Sequence, residues 1–166
     1  VELIPSTVTD EVTALKTKSV DAIWIFYAWA GVKTELEGLE TDYFAFADLD
    51  SVFDFYTPVI IANNAFLAEE PETARAFLDA VSRGYEFAIE HPREAGEILC
   101  KAAPELDPDL VKASQEYLAD KYQADAPQWG YIDQERWDAY YAWLNEKGLT
   151  ETPIEAGTGC SNEYLP

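Results

Sequence analysis

Aromatic side chains crowd one short stretch of this sequence: Trp24, Phe26, Tyr27 and Trp29 fall within six residues, just ahead of Gly31. Rings at that density can stack on a flat, π-rich ligand, while the indole N–H groups and the phenol address its polar edge. On a second stretch, Asp54 and Tyr56 add a carboxylate and a hydroxyl suited to aimed hydrogen bonds. Covalent and acid-base chemistry have poorer candidates. The single histidine, His91, precedes Pro92, where it complements a helix end and has no evident nucleophile to serve. Glu69 with Glu70, or Asp48 with Asp50, can be drawn as acid and base, but among 32 acidic residues such pairs arise by chance. Cys100 and Cys160 have no zinc-ligand spacing, and no glycine-rich phosphate loop occurs. The pattern is one of binding, with no catalytic residue, metal or cofactor expected.

The elements that must position these groups change character along the chain. Residues 1–5 read as a short apolar strand, and Ser6 and Thr7 offer a cap for a helix over about 8–18 with Val8, Val12 and Leu15 on one face. A β-branched strand over 20–26 follows at once. This strand-helix-strand order predicts a parallel βαβ unit, whose strand end is where open α/β folds place ligands. A helix over about 28–37 stops at Gly38, residues 41–46 alternate as a further strand, and Asp48-Leu49-Asp50 breaks it. Residues 55–63 are the most β-prone segment, with Pro58 placing it at a sheet edge or bend. Beyond Asn63 the pattern is helical. Ala74, Phe77, Leu78, Val81, Tyr85 and Ala88 recur at helical spacing after Pro71, and a shorter helix with Ala95, Ile98, Leu99 and Ala102 runs to Pro104. Asp107-Pro108 caps a helix with Leu110, Val111, Ser114, Tyr117 and Leu118 inward. A last helix over about 134–147 is expected to bury Trp137, Tyr140, Tyr141 and Leu144, and the tail from Thr150 has no period.

Length and charge bound the rest. The 166 residues, 48% hydrophobic, suit one domain or two small lobes, and the net charge of -21 opposes nucleic acid and anionic membranes. No apolar run is long enough to cross a bilayer as a helix. The chain opens on an apparent strand without an initiator methionine or signal peptide, which reads as a processed or truncated product. The two cysteines are either free or bridged in an oxidising compartment. The helices after Asn63 carry broad apolar faces with no sheet of their own to cover, so something else must bury them.

Several segments together resemble the NMT1/THI5-like family: Val20-Asp21-Ala22 entering the aromatic strand, Thr57-Pro58-Val59-Ile60-Ile61-Ala62-Asn63-Asn64, Arg83-Gly84-Tyr85-Glu86-Phe87-Ala88-Ile89-Glu90-His91-Pro92, Trp129-Gly130-Tyr131-Ile132-Asp133 with Trp137, and Asn162-Glu163-Tyr164-Leu165-Pro166. Within the family the match is to solute-binding proteins of ABC importers for thiamine-precursor pyrimidines. The resemblance implies an α/β, periplasmic-binding-protein-like fold of type II, with the ligand in a cleft between two lobes. It implies that this chain is a C-terminal portion: residues 1–55 part of the second α/β lobe, 56–63 a strand crossing back, and 64–166 the helical return to the first lobe with the tail.

The same resemblance implies an extracytoplasmic protein, periplasmic or a cell-surface lipoprotein, whose partners are a small-molecule ligand and a membrane permease. Trp24, Tyr27, Trp29 and Tyr56 are the ligand residues it implies; Asp54 joins them on its own chemistry, and Trp129 and Trp137 read as packing. The helical faces around Phe77, Val81 and Tyr117 are expected to be exposed unless a missing N-terminal portion or a second copy of the chain covers them. Fungal members make the pyrimidine from a histidine and a pyridoxal cofactor, and this chain has no His and Cys cluster for such chemistry. A pyrimidine-precursor enzyme, a binder of another solute such as a sulfonate or riboflavin, and a helical interaction module remain the alternative readings.

Overall fold

A computed structural model describes residues 1–4 and 10–166. The element order among them is helical throughout: α1 (Glu11–Lys16), a π turn (Tyr27–Gly31) running straight into α2 (Val32–Leu36), α3 (Phe46–Leu49), a 3-10 turn (Ser51–Phe53), α4 (Asn64–Glu69), α5 (Pro71–Glu90), α6 (Pro92–Ala102), α7 (Pro108–Leu118) and α8 (Gln134–Glu146). The long helices start where proline and aspartate direct them. Pro92 and Pro108 occupy first-turn positions that need no N–H, and Asp107 and Asp133 accept from the exposed amides that follow them. The Ser6 and Thr7 cap and Val8 lie outside the described residues; α1 begins instead on Asp10, whose carboxylate accepts from Thr13 N at 3.1 Å.

The expected strands are not formed: no strand occurs among the described residues, so the helical half of the α/β expectation holds and the sheet half is corrected. Residues 20–26 and 57–63 are irregular chain without a ladder partner, and Val59, Ile60 and Ile61 stand exposed. The physical reason is that β-propensity measures fit to a pleated, half-buried surface, and a strand exists only when a neighbouring backbone takes up its N–H and C=O groups. Residues 41–46 differ in another way. Phe46 opens α3, with Asp48 inside it, and the Asp50 carboxylate accepts from Val52 N at 3.0 Å to start the 3-10 turn.

The chain forms two compact units, one of Val1–Asp42 with Phe87–Tyr122 and one of Tyr43–Glu86 with Gln123–Pro166. The first has its core where the π turn and α2 pack on α7. Val12, Ala14, Ala30, Val32, Leu110 and Val111 are its buried apolar residues, and the Thr34 hydroxyl donates to Gly31 O at 2.6 Å inside it. Helices α6 and α7 pair closely at Gly96, which lies beside the Lys112 backbone, and Arg93 bonds Glu116 at 2.6 Å across the pair. Lys33 on α2 bonds Asp10 at 2.6 Å, tying it to the cap of α1.

The second unit is organised around α8 and is held more by rings and polar side chains than by buried aliphatics. Trp137, Tyr140, Tyr141 and Leu144, expected to be buried, are only half-buried, because the chain facing this helix is the narrow segment 53–57 and the tail. The aperiodic tail is pinned by side chains that bond its backbone. Asn162 accepts from Ile132 N at 2.9 Å and donates to Ile132 O at 2.8 Å, and Asn145 does the same with Ile154 at 3.0 and 2.8 Å. Trp137 Nε1 donates to Thr158 O at 3.0 Å, Asp138 accepts from Gly157 N, and Arg75 bonds Glu163 O. On α5 only Ala74 and Ser82 are buried and Phe77 is 55% exposed, whereas Val81 and Tyr117, expected to be exposed with it, are half-buried, Tyr117 because it packs on Tyr27.

Candidate functional site

The two groups of site residues singled out in the sequence fall in different units. In the first unit the irregular segment 20–26 places Trp24 and Phe26 on one side, two residues apart, with ring centroids 4.6 Å apart in an edge-to-face pair. Both rings remain open to solvent, Trp24 at 59% exposure and Phe26 at 55%. Tyr27 turns away from them. Its ring lies 5.2 Å from that of Tyr117 on α7, its hydroxyl bonds Glu35, and its inner edge rests on Gly31. Trp29 follows on the π turn and is exposed. The structure therefore gathers Trp24 with Phe26 and assigns Tyr27 to holding the π turn on α7.

In the second unit, α8 and the segment 53–57 form an aromatic cleft of about 190 Å³ lined by Phe55, Tyr56, Thr57, Trp137, Tyr140 and Tyr141. The helical spacing of Trp137, Tyr140 and Tyr141 puts three rings on one face. Phe55 stacks on Tyr140 at 4.4 Å and 23°, and Phe53 meets Trp143 at 5.2 Å. Asp54 and Tyr56 are brought together by one residue, Arg136. Its Nε donates to Asp54 O at 2.7 Å, its Nη2 bonds the Asp54 carboxylate, and its Cζ lies 4.3 Å from the Tyr56 ring centroid. The Tyr56 hydroxyl accepts from Asp133 N at 2.9 Å, while the Asp133 carboxylate accepts from Arg136 N at 2.8 Å, so the start of α8 is capped on both sides.

Chemically the cleft offers ring faces and hydroxyls. No hydrogen bond joins the Thr57, Tyr140 or Tyr141 hydroxyl to another described residue, which leaves three polar groups for whatever enters. Arg136, Trp137, Tyr140 and Tyr141 were read from sequence as core or passed over, and the available signal was the tyrosines themselves, whose polar tips on a helix face require a partner. Trp129, expected to pack, stacks on Tyr85 at 4.3 Å and 17°. No group of three or more His, Cys, Asp or Glu among the described residues is arranged to hold a metal. Cys100 and Cys160 are free thiols, with burial pushing the Cys160 thiol above its ordinary pKa and Asp138 adding to the rise. His91, in the first unit, touches Phe87 and faces Glu90.

A helical chain whose exposed aromatic surfaces and hydroxyl-bearing cleft suit capture of a small flat molecule matches a known family over residues 1–95, the one described as NMT1/THI5 like. The chain belongs to that family, whose fold is periplasmic-binding-protein-like. It is 30% identical over 124 residues to the formylaminopyrimidine-binding protein of Halalkalibacterium halodurans, covering 72% of this chain and 37% of that one. It is 25% identical over 140 residues to the riboflavin-binding protein RibY of Chloroflexus aurantiacus, covering 78% and 38%. It is 38% identical over 116 residues to 4-amino-5-hydroxymethyl-2-methylpyrimidine phosphate synthase of Candida albicans, covering 67% and 31%. The chain thus spans about a third of the length of each of these relatives.

Proposed function

We propose that this chain is part of the substrate-binding component of an ABC importer, one that captures a small pyrimidine-type thiamine precursor outside the cytoplasm and hands it to a membrane permease. The observation that carries the reading is the aromatic cleft of the second unit, lined by Phe55, Tyr56, Trp137, Tyr140 and Tyr141, with hydroxyls to meet the ring nitrogens and substituents of a heterocycle. Two relatives are binding proteins for flat heterocycles, which supports capture over turnover. Asp54 and Tyr56 act at the cleft by fixing Arg136. The open Trp24 ring and Trp29 supply a second stacking surface, with Tyr27 setting the turn that carries them. No helix among the described residues is long and apolar enough to cross a membrane, and the membrane partner is the permease.

A thermal-shift panel on the purified protein tests the reading. A formylaminopyrimidine or 4-amino-5-hydroxymethyl-2-methylpyrimidine at about a hundred times its Kd stabilises by about 2.7 kcal/mol. No shift with either, alongside a shift with riboflavin or a sulfonate, removes the pyrimidine assignment. The likeness to a synthase favours a second reading, a pyrimidine-precursor enzyme. Product formation, or pyridoxal absorbance in the purified protein, would establish that one instead.

A further inference from the structure

We infer that tail residues 154–162 are a working part of the cleft: strapped along α8, they fix the plane of Trp137, with Thr158 and Gly159 as positioning residues. This deepens the reading of that cleft as the ligand site and rests on it.

The tail runs antiparallel to α8 and is tied to it in steps. As the tail advances, its partners move back along the helix and its cap. Ile154 bonds Asn145, Gly157 N donates to Asp138 at 3.0 Å, and the Thr158 carbonyl accepts from Trp137 Nε1 at 3.0 Å. Further on, the Cys160 thiol lies 3.5 Å from the Gln134 amide oxygen, and Asn162 bonds Ile132. Of these ties, the one at Thr158 ends on a ring that lines the cleft. An indole turns about two side-chain torsions, and on a fixed helix backbone a hydrogen bond at Nε1 sets both. Gly159 completes the seat. Its backbone lies against the same edge of the ring, close enough that a Cβ there would touch Trp137 Cζ2 and Nε1 at 3.5 Å. Gly157 and Gly159 sit at φ +76 and +84, in the left-handed region, so a side chain at either strains the backbone and displaces the Thr158 carbonyl between them. The Tyr141 ring, 5.1 Å from that of Trp137, packs on a neighbour held in this way. A ring already fixed loses no torsional freedom when a flat ligand meets it, so the tail adds to affinity without touching the ligand.

The test is calorimetric binding of 4-amino-5-hydroxymethyl-2-methylpyrimidine to the purified protein, to Gly159→Ala, to Trp137→Phe and to the double variant. Gly159→Ala should weaken binding by about threefold to tenfold, the worth of one well-placed ring contact. Trp137→Phe keeps a ring but has no N–H for Thr158; it should weaken binding too, and adding Gly159→Ala to it should cost nothing further. Gly148→Ala strains a left-handed backbone in the same way, at φ +65 just past α8 with nothing within 4 Å of the added Cβ, and should lower Tm while leaving Kd unchanged. Native affinity in Gly159→Ala, or losses that multiply in the double variant, overturns the inference and leaves the cleft reading standing. If the native protein does not bind the pyrimidine, the pyrimidine reading falls and the inference with it. Should Gly159→Ala fail to fold, the indole N–H resonance of Trp137 decides, identified by its loss in Trp137→Phe. Saturating pyrimidine should shift that resonance in the native protein and slow its hydrogen exchange, and an unmoved resonance overturns the inference.

Discussion

Replacing Gly31 by alanine sets two opposed effects against each other at a single carbon. Gly31 sits at φ -63 and ψ -49, ordinary helical backbone, at the junction of the π turn and α2. Backbone preference alone therefore favours alanine, by up to about 1 kcal/mol. The structure says otherwise. A Cβ at this position would lie 2.5 Å from Tyr27 Cδ2, 2.7 Å from Cγ and 2.9 Å from Cε2. Carbon atoms pack at about 3.5–4.0 Å, so the ring has to retreat by about 1 Å. Because Cγ is the root of the ring, the retreat cannot be made by a flexible tip; the whole ring must swing, loosening its contact with Tyr117 and its bond to Glu35. Overpacking of this kind costs about 1–3 kcal/mol, and the aromatic pair is worth about 0.5–1.5 kcal/mol. Gly31→Ala should then destabilise the protein by a net of about 1–2 kcal/mol. Urea unfolding of the native protein, G31A, Y27A and the double variant measures this, since in the Tyr27→Ala background the clash is gone and alanine should be neutral or favourable. A higher unfolding midpoint for G31A in the native background would refute the packing of Tyr27 on Gly31.

Gly96 provides the converse case. A Cβ there meets the Lys112 Cα of α7 at 3.6 Å, an ordinary van der Waals contact, and Gly96 lies within α6, so Gly96→Ala should raise stability by up to about 1 kcal/mol, read as a higher Tm. Asn162→Ala removes both bonds to the Ile132 backbone and should cost about 1–3 kcal/mol, with faster hydrogen exchange at Ile132 and quicker proteolysis of the tail. The Asp10–Lys33 pair makes stability depend on pH at both extremes. The hydrogen bond from Lys33 holds the Asp10 carboxyl below its usual 3.8, so this stabilisation is present above that value and lost as pH falls through the lowered one. The bond to Asp10 holds Lys33 above its usual 10.5, so its share is present below 10.5 and lost as pH rises through the raised value. Both groups are about a third exposed, which limits the effect to under about 1 kcal/mol. Lys33→Met should flatten the stability profile at both ends, and an unchanged profile would dismiss the pair.

What the sequence alone determined is what lies within a few residues of itself. Pro92, Pro108, Asp107 and Asp133 mark helix starts because a missing N–H or a short acceptor acts on amides one to three positions away, and Leu110, Val111 and Ser114 face inward because a helix repeats every few residues. The short α4 was equally local, capped by Asn63 onto Ala65 N at 2.8 Å, and was passed over because one turn leaves no period to read. Membership of the NMT1/THI5-like family was also legible, since it rests on the order of motifs along the chain. Tertiary structure decided the remainder. Whether residues 20–26 and 55–63 become strands depends on a neighbouring backbone, and their composition cannot supply one. Arg136 reaches Asp54 across 82 positions, and Asn162 reaches Ile132 across 30, pairings with no trace in local composition. The same distance separates an aromatic helix read as core from the half-open cleft that Tyr140 and Tyr141 line, because burial is a property of what faces a side chain and no residue carries that information alone.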